Sequence, residues 1–327
     1  MKRFLPFTLP LLMLMGLIAC EESDSNMELD AEDAILKLIA DDDSTYGIDG
    51  MENVENEDFT LGKSLMSAAS NLTHHMPAMR DSNFVWRFGR TGMNVERDVL
   101  VEVEDDTSAI ALITHHITGT FHVKQFERFW LDTETWERGD SIRFSEKPID
   151  MTAHRRVSFK KRISPLGGER WKPIAMTLQT GTSGSALEIE TLEWVAEDST
   201  VILSDFENVF YSRRDPLLLS QLGANHMNIM VSNDVTGEAE FVKGRFGYHP
   251  RMGRPDARSR FYFQYVETME NGDKRYTKDI APVRHHRRHF KGFIDVLDFR
   301  TLFDHDYLEY SSATIGFVYT TRQRVQP

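Results

Sequence analysis

A mainly β chain with helices confined to its N-terminal part is the fold class this sequence predicts. Three observations carry it. From about residue 83 onward, short runs rich in Val, Ile, Thr and aromatic residues follow one another, separated by Gly, Pro and acids. Before that point only two stretches have helical spacing. The composition is 40% hydrophobic and 11% aromatic, enough to fill buried cores.

The first helix is predicted over 31–40 (AEDAILKLIA). Ala31, Ala34, Ile35, Leu38 and Ile39 fall at i, i+3, i+4, i+7 and i+8, and Asp30 can cap the start. Residues 41–58 are acidic and glycine-containing, hence loop. A second helix is predicted over about 60–75, where Leu61, Leu65, Met66, Ala69 and Leu72 share a face and Pro77 ends it. Strands follow at Phe84–Phe88, Val99–Val103, Ala109–Val123, Ser141–Phe144, Arg156–Ile163, Ile174–Leu178 and Ala186–Trp194.

A further β region runs from about 199. Its candidates are Val201–Leu203, Val209–Tyr211, His226–Val231, Ala239–Val242, Phe261–Thr268, Arg275–Lys278, Phe290–Val296 and Ser312–Thr320. Asn271-Gly272 between two of them predicts a hairpin with a type I′ turn. In the last candidate, Ala313, Ile315, Phe317 and Tyr319 alternate with Thr314, Gly316 and Thr320, as in a half-buried strand. The expected organisation is a leader at 1–19, an acidic tether with a short helix at 20–60, an α+β antiparallel-sheet domain at 61–198 and an immunoglobulin-like β-sandwich at 199–327.

The leader has a basic start, Lys2 and Arg3, then an uncharged apolar run from Phe4 to Ala19 interrupted by Pro6 and Pro10. That run is short for a membrane span of about 20 residues and suits the apolar core of a signal peptide. It ends Leu17-Ile18-Ala19-Cys20 and is followed at once by Glu21-Glu22-Ser23-Asp24. This ending resembles the lipobox of bacterial lipoproteins. The resemblance covers about the first 20 residues and implies diacylglyceryl transfer to the Cys20 sulfur, cleavage before Cys20 and acylation of the new amino terminus. Two acyl chains suffice for stable anchoring. In the sorting pattern of enteric lipoproteins, Asp after the cysteine favours the inner membrane. Glu21 therefore points to the outer membrane.

The net charge of −13 is unevenly placed. Residues 21–60 carry fifteen acids against one base, Lys37. The chain beyond is close to neutral, so the acidic stretch reads as a solvated spacer and nucleic acid is not an expected partner. Cys20 is the sole cysteine, which excludes an internal disulfide.

Few constellations carry chemistry. Asp41, Asp43, Thr45, Asp49 and Glu52 match positions 1, 3, 5, 9 and 12 of a calcium-binding EF-hand loop, with Tyr46 where glycine belongs. Calcium at Asp41, Asp43, Asp49 and Glu52 is thus one expectation, and a plain solvated loop the other. The histidines pair as His74-His75, His115-His116 and His285-His286. Adjacent strand histidines point to opposite faces, which works against a shared metal.

Basic stretches offer anion sites, because arginine forks grip phosphate and carboxylate. Arg284, Arg287 and Arg288 lead, within RHHRRHFK, and Arg155, Arg156, Lys160, Lys161 and Arg162 form another stretch. Gly181-Thr182-Ser183-Gly184-Ser185 is not the G-x-S-x-G elbow, so no catalytic residue is assigned. The function these readings favour is a membrane-anchored envelope lipoprotein with a non-enzymatic binding or structural role, toward a protein or an anionic glycan. Its rivals are an envelope hydrolase acting on glycan or peptide, and a calcium-steadied structural module.

Overall fold

The computed structural model describes residues 30–48, 57–59, 84–131, 135–163, 168–184, 186–196, 199–212, 217–220, 225–233, 240–248, 260–280 and 289–322. The protein is mostly β-strand in antiparallel sheets, with a helix at the N-terminal side. Helices α1 (Ala31–Asp41) and α2 (Asp43–Tyr46) come first. Strands β1 (Glu57–Phe59), β2 (Phe84–Asp105), β3 (Ser108–Trp130), β4 (Trp136–Ile163), β5 (Glu169–Met176) and β6 (Gln179–Ser183) follow. Next are β7 (Leu187–Ala196), β8 (Ser199–Leu203), β9 (Tyr211–Ser212), β10 (Leu217–Ser220), β11 (Asn225–Asn233) and β12 (Glu240–Tyr248). The chain closes with β13 (Arg260–Tyr262), β14 (Gln264–Thr268), β15 (Lys274–Ile280), β16 (His289–Asp298), the short helix α3 (Phe299–Phe303) and β17 (Ser312–Arg322).

Among the described residues one sheet has 12 strands, ordered β1-β2-β3-β4-β6-β17-β16-β12-β13 along its main path. The other has five, ordered β14-β15-β11-β7-β8. They face each other across a shared core. The five-stranded sheet contributes Leu192, Trp194, Met227, Ile229 and Tyr276, and the larger one Ile294, Val296, Ala313, Ile315, Phe317 and Tyr319. The odd residues of the last strand fill the sandwich as the alternation predicts, but Ser312 and Thr314 between them are buried as well, so the strand is covered on both faces and is not half-buried.

The larger sheet also curls back on itself. Arg90 on β2 reaches Asp295 on β16 at 2.6 Å, although β3, β4, β6 and β17 lie between them in the sheet. The hollow of the curl is filled by a second core of Trp86, Phe88, Phe121, Phe241, Phe293 and Leu297. Helix α3 packs into that core with Phe299, Leu302 and Phe303, and Trp86 meets Phe303 edge-on at 5.0 Å. Asp298 caps α3 by accepting from the Arg300 N–H at 2.7 Å.

A third core sits where β2, β3 and β4 run on beyond the sandwich. There Ile35 and Ile39 of α1 and Tyr46 of α2 pack against Ala109, Ala111, Ile113, Val157, Phe159 and Trp171. Arg97 Nη1 donates to the Ile39 carbonyl at 3.2 Å and Arg155 Nη1 to that of Thr45 at 3.4 Å, so two basic side chains close the helix ends. The predicted helix of the acidic segment is thus docked on the body. Asp30 occupies the N-cap position but its side chain makes no cap hydrogen bond.

Three other expectations change. The boundary placed near 198 falls inside the β7–β8 hairpin, where Leu192 faces Leu203 and Val195 faces Thr200. Several predicted short strands are single long ones: β2 has 22 residues, β3 23 and β4 28. Pro148 does not break β4, because β6 pairs only with Thr152–His154 and leaves the proline without a strand on that side among the described residues. Finally, Asn271-Gly272 belongs to a three-residue loop, not a two-residue one. Met269 N donates to Asp273 O at 2.7 Å, Gly272 N donates to Met269 O at 3.0 Å, and Gly272 takes φ +97. No described helix is long and apolar enough to cross a membrane.

Candidate functional site

The most unusual exposed feature is the outer end of the β3–β4 hairpin. β2 pairs with β3 only as far as Phe84↔Glu127, while β3 and β4 remain paired through Arg128↔Arg138, Phe129↔Glu137 and Trp130↔Trp136. Among the described residues this last stretch is a two-stranded arm. It exposes large apolar side chains: Phe129 is 54% exposed, Leu131 62% and Phe144, near the base, 52%.

Local chemistry holds the aromatics in place. The Phe129 ring lies over Gly139, where a Cβ would come within 2.3 Å of ring carbon Cε2. Arg138 sits 4.9 Å from the Phe126 ring centre and Lys124 5.2 Å from that of Phe144. Aromatic side chains with an arginine beside them are residue types enriched in protein-binding interfaces.

The arm's footing is polar and buried. Lys147, on the inner face of β4, donates to the carbonyls of Arg300 (2.7 Å) and Asp304 (2.9 Å) at the end of α3 and lies 5.1 Å from the Tyr307 ring. Burial pushes its amine down from 10.5 to about 8, against the opposing pull of Asp304 and Asp298. Deeper in the curl, Arg90 bonds both Asp295 and the Tyr310 hydroxyl, and Lys243 stands 3.1 Å from Asp295. Burial raises the Asp295 carboxyl, but Arg90 and Lys243 outweigh it and hold the group below its ordinary value.

The residues singled out from sequence fall unevenly. Cys20, Arg284, Arg287, Arg288, Asp49 and Glu52 lie outside the described residues. Asp41 ends α1 and Asp43 begins α2, and Tyr46 is buried against Phe159, so the first half of the expected calcium loop is helical. Among the described residues no group of three or more His, Asp or Glu is placed to hold a metal ion. His115 is buried and His116 is exposed beside Asp98 at 3.3 Å, the opposite faces their spacing requires.

One constellation escaped sequence reasoning. On the outer face of the five-stranded sheet, His226 Nδ1 meets Asp279 Oδ1 at 2.8 Å and Nε2 meets Thr277 Oγ1 at 2.7 Å. The order hydroxyl, imidazole, carboxylate is that of an acyl-transfer triad. The hydrogen-bond polarity runs the other way. Asn228 Nδ2 donates to Glu193 at 2.6 Å, which leaves Asn228 Oδ1 to accept the Thr277 hydroxyl proton at 2.7 Å. His226 Nε2 must then donate to Thr277 and is no base for it. These residues form a cross-strand ladder.

Comparison with protein-family models, with curated proteins and with solved structures finds no match to this chain.

Proposed function

We propose that this chain is a membrane-anchored envelope lipoprotein, lipidated at Cys20, with a non-enzymatic binding role toward a partner protein. The outer membrane is the favoured site, on the strength of Glu21 after the cysteine. The observation that carries the binding role is the β3–β4 arm with Phe129, Leu131 and Phe144 exposed on it. The docked α1 supports a direction for it. Helix α1, which follows the Cys20 segment in sequence, packs on the third core, and β3 runs from that core to the arm, about 70 Å along the strand. The arm thereby reaches away from the membrane. We read the sandwich between as an immunoglobulin-like spacer.

A photo-crosslinking residue in place of Leu131, tested in living cells, checks this reading. An adduct to an envelope protein is expected at 131 and not at Ile202, an equally exposed apolar position on β8. Equal labelling at both positions, or none at 131, contradicts it.

A further inference from the structure

We propose that the β4–β5 end of the molecule rests on an anionic lipid surface through Lys160, Arg162, Arg170 and Lys172. This rests on the lipid-anchor reading and adds to it which end of the body meets the bilayer, and by what chemistry.

In the β4–β5 ladder Lys160 stands opposite Lys172, and Arg162 opposite Arg170. Alternation puts all four on one face, while Trp171 between them turns into the third core. All four are exposed, and none has an ion-pair partner among the described residues. Like charges directly opposite each other destabilise a hairpin. Two such pairs in succession are a cost that the hairpin itself does not offset, and that a phosphate-bearing surface would remove.

Glu102, Glu104, Asp105 and Asp106 are exposed at the same end, but no described acid pairs with these four cations. Glu169 is bound by Lys161 at 2.5 Å. Asp105 and Asp106 sit in the β2–β3 turn, and the Asp105 carboxylate already accepts from Thr107 and Ser108. That turn ends level with Lys161, whose N–H donates to the Thr107 carbonyl at 2.8 Å. Past it β4 and β5 continue as a pair, so Arg162 and Arg170 stand beyond the acidic turn, and Ile163, 80% exposed, follows Arg162 on the opposite face. An exposed apolar residue next to the outermost cations suits the boundary between headgroups and acyl chains.

Helix α1 packs at the same end. Ala31 and Ala34, in the first turns of α1, pack on the core that holds Trp171, while Arg97 holds the far end of α1 at the Ile39 carbonyl, toward the middle of β2. Asp30 lies ten positions after Cys20, a span of at most about 35 Å. With α1 docked, the body stays within that reach of the bilayer.

The test uses residues 20–327 with Cys20→Ser, which retains every described residue but no lipid. Vesicles of phosphatidylcholine alone are compared with vesicles in which roughly a third of the lipid is phosphatidylglycerol. The protein should sediment with the anionic vesicles and not with the neutral ones, and raised salt should release it. Lys160→Gln, Arg162→Gln, Arg170→Gln and Lys172→Gln together should weaken that binding about tenfold or more. The same variant should melt no lower than the parent, because it removes two like-charge pairs, so lost binding cannot be lost folding. Equal binding to both vesicle types, or undiminished binding by the glutamine variant, overturns the proposal; the cations are then answered elsewhere, for example by Glu21, Glu22, Asp24 and Glu28 ahead of α1. Failure of the anchor reading is separate, seen as no lipid mass on Cys20 in the native chain.

Discussion

Lys147 and Arg90 are single residues on which distant parts of the fold depend. With its folded pKa lowered to about 8, Lys147 binds fewer protons than in the unfolded chain between about pH 8 and 10.5. Stability from this group therefore rises with pH through that window. Denaturant unfolding at both ends should show a gain in the parent that Lys147→Met lacks; parallel curves would refute the assignment. Arg90→Leu leaves Asp295 buried with Lys243 alone and should cost about 3–5 kcal/mol in the same measurement. Neither role was legible in the sequence. Lys147 meets Arg300 across 153 residues and Arg90 meets Asp295 across 205, and no local pattern encodes such a pairing. Legible roles were those set by alternation, such as the opposite burial of His115 and His116.

At the scale of elements, α1 was legible because its apolar spacing matches one helical face, and that face is what the third core buries. Its docking was not, since a face says nothing of its acceptor. Ile35→Ala should cost about 2–5 kcal/mol and expose α1 to protease before the rest of the fold, seen by limited proteolysis. Unchanged protection of α1 would mean that it is not held by that core. Long strands were read as several short ones because glycines and Pro148 look like breaks. Gly92, at φ +62, instead sits in a bulge between Thr91 and Asn94 through which β2 continues. The like-charge pairs of β4–β5 likewise came from register, not from sequence. Arg170→Glu, facing Arg162, should raise stability by about 0.2–1 kcal/mol while reducing anionic-lipid binding. A fall in Tm would show that the two arginines do not oppose each other.

For the whole molecule, the mainly β class with its N-terminal helix was readable from composition and alternation, whereas its closure was not. The larger sheet curls until β2 faces β16, a consequence of twist and of the aromatic core it encloses, and the β7–β8 hairpin crosses the position where the sequence suggested a boundary. The proposed axis would join a lipid-anchored, cationic end to an aromatic arm, and it depends on Cys20 carrying lipid. The intact mass of the chain extracted from membranes tests this most directly. A species beginning at Cys20 with added diacylglyceryl mass, absent from a Cys20→Ser control, is the predicted result. A chain that keeps residues 1–19, or begins at Cys20 without lipid, would contradict the account.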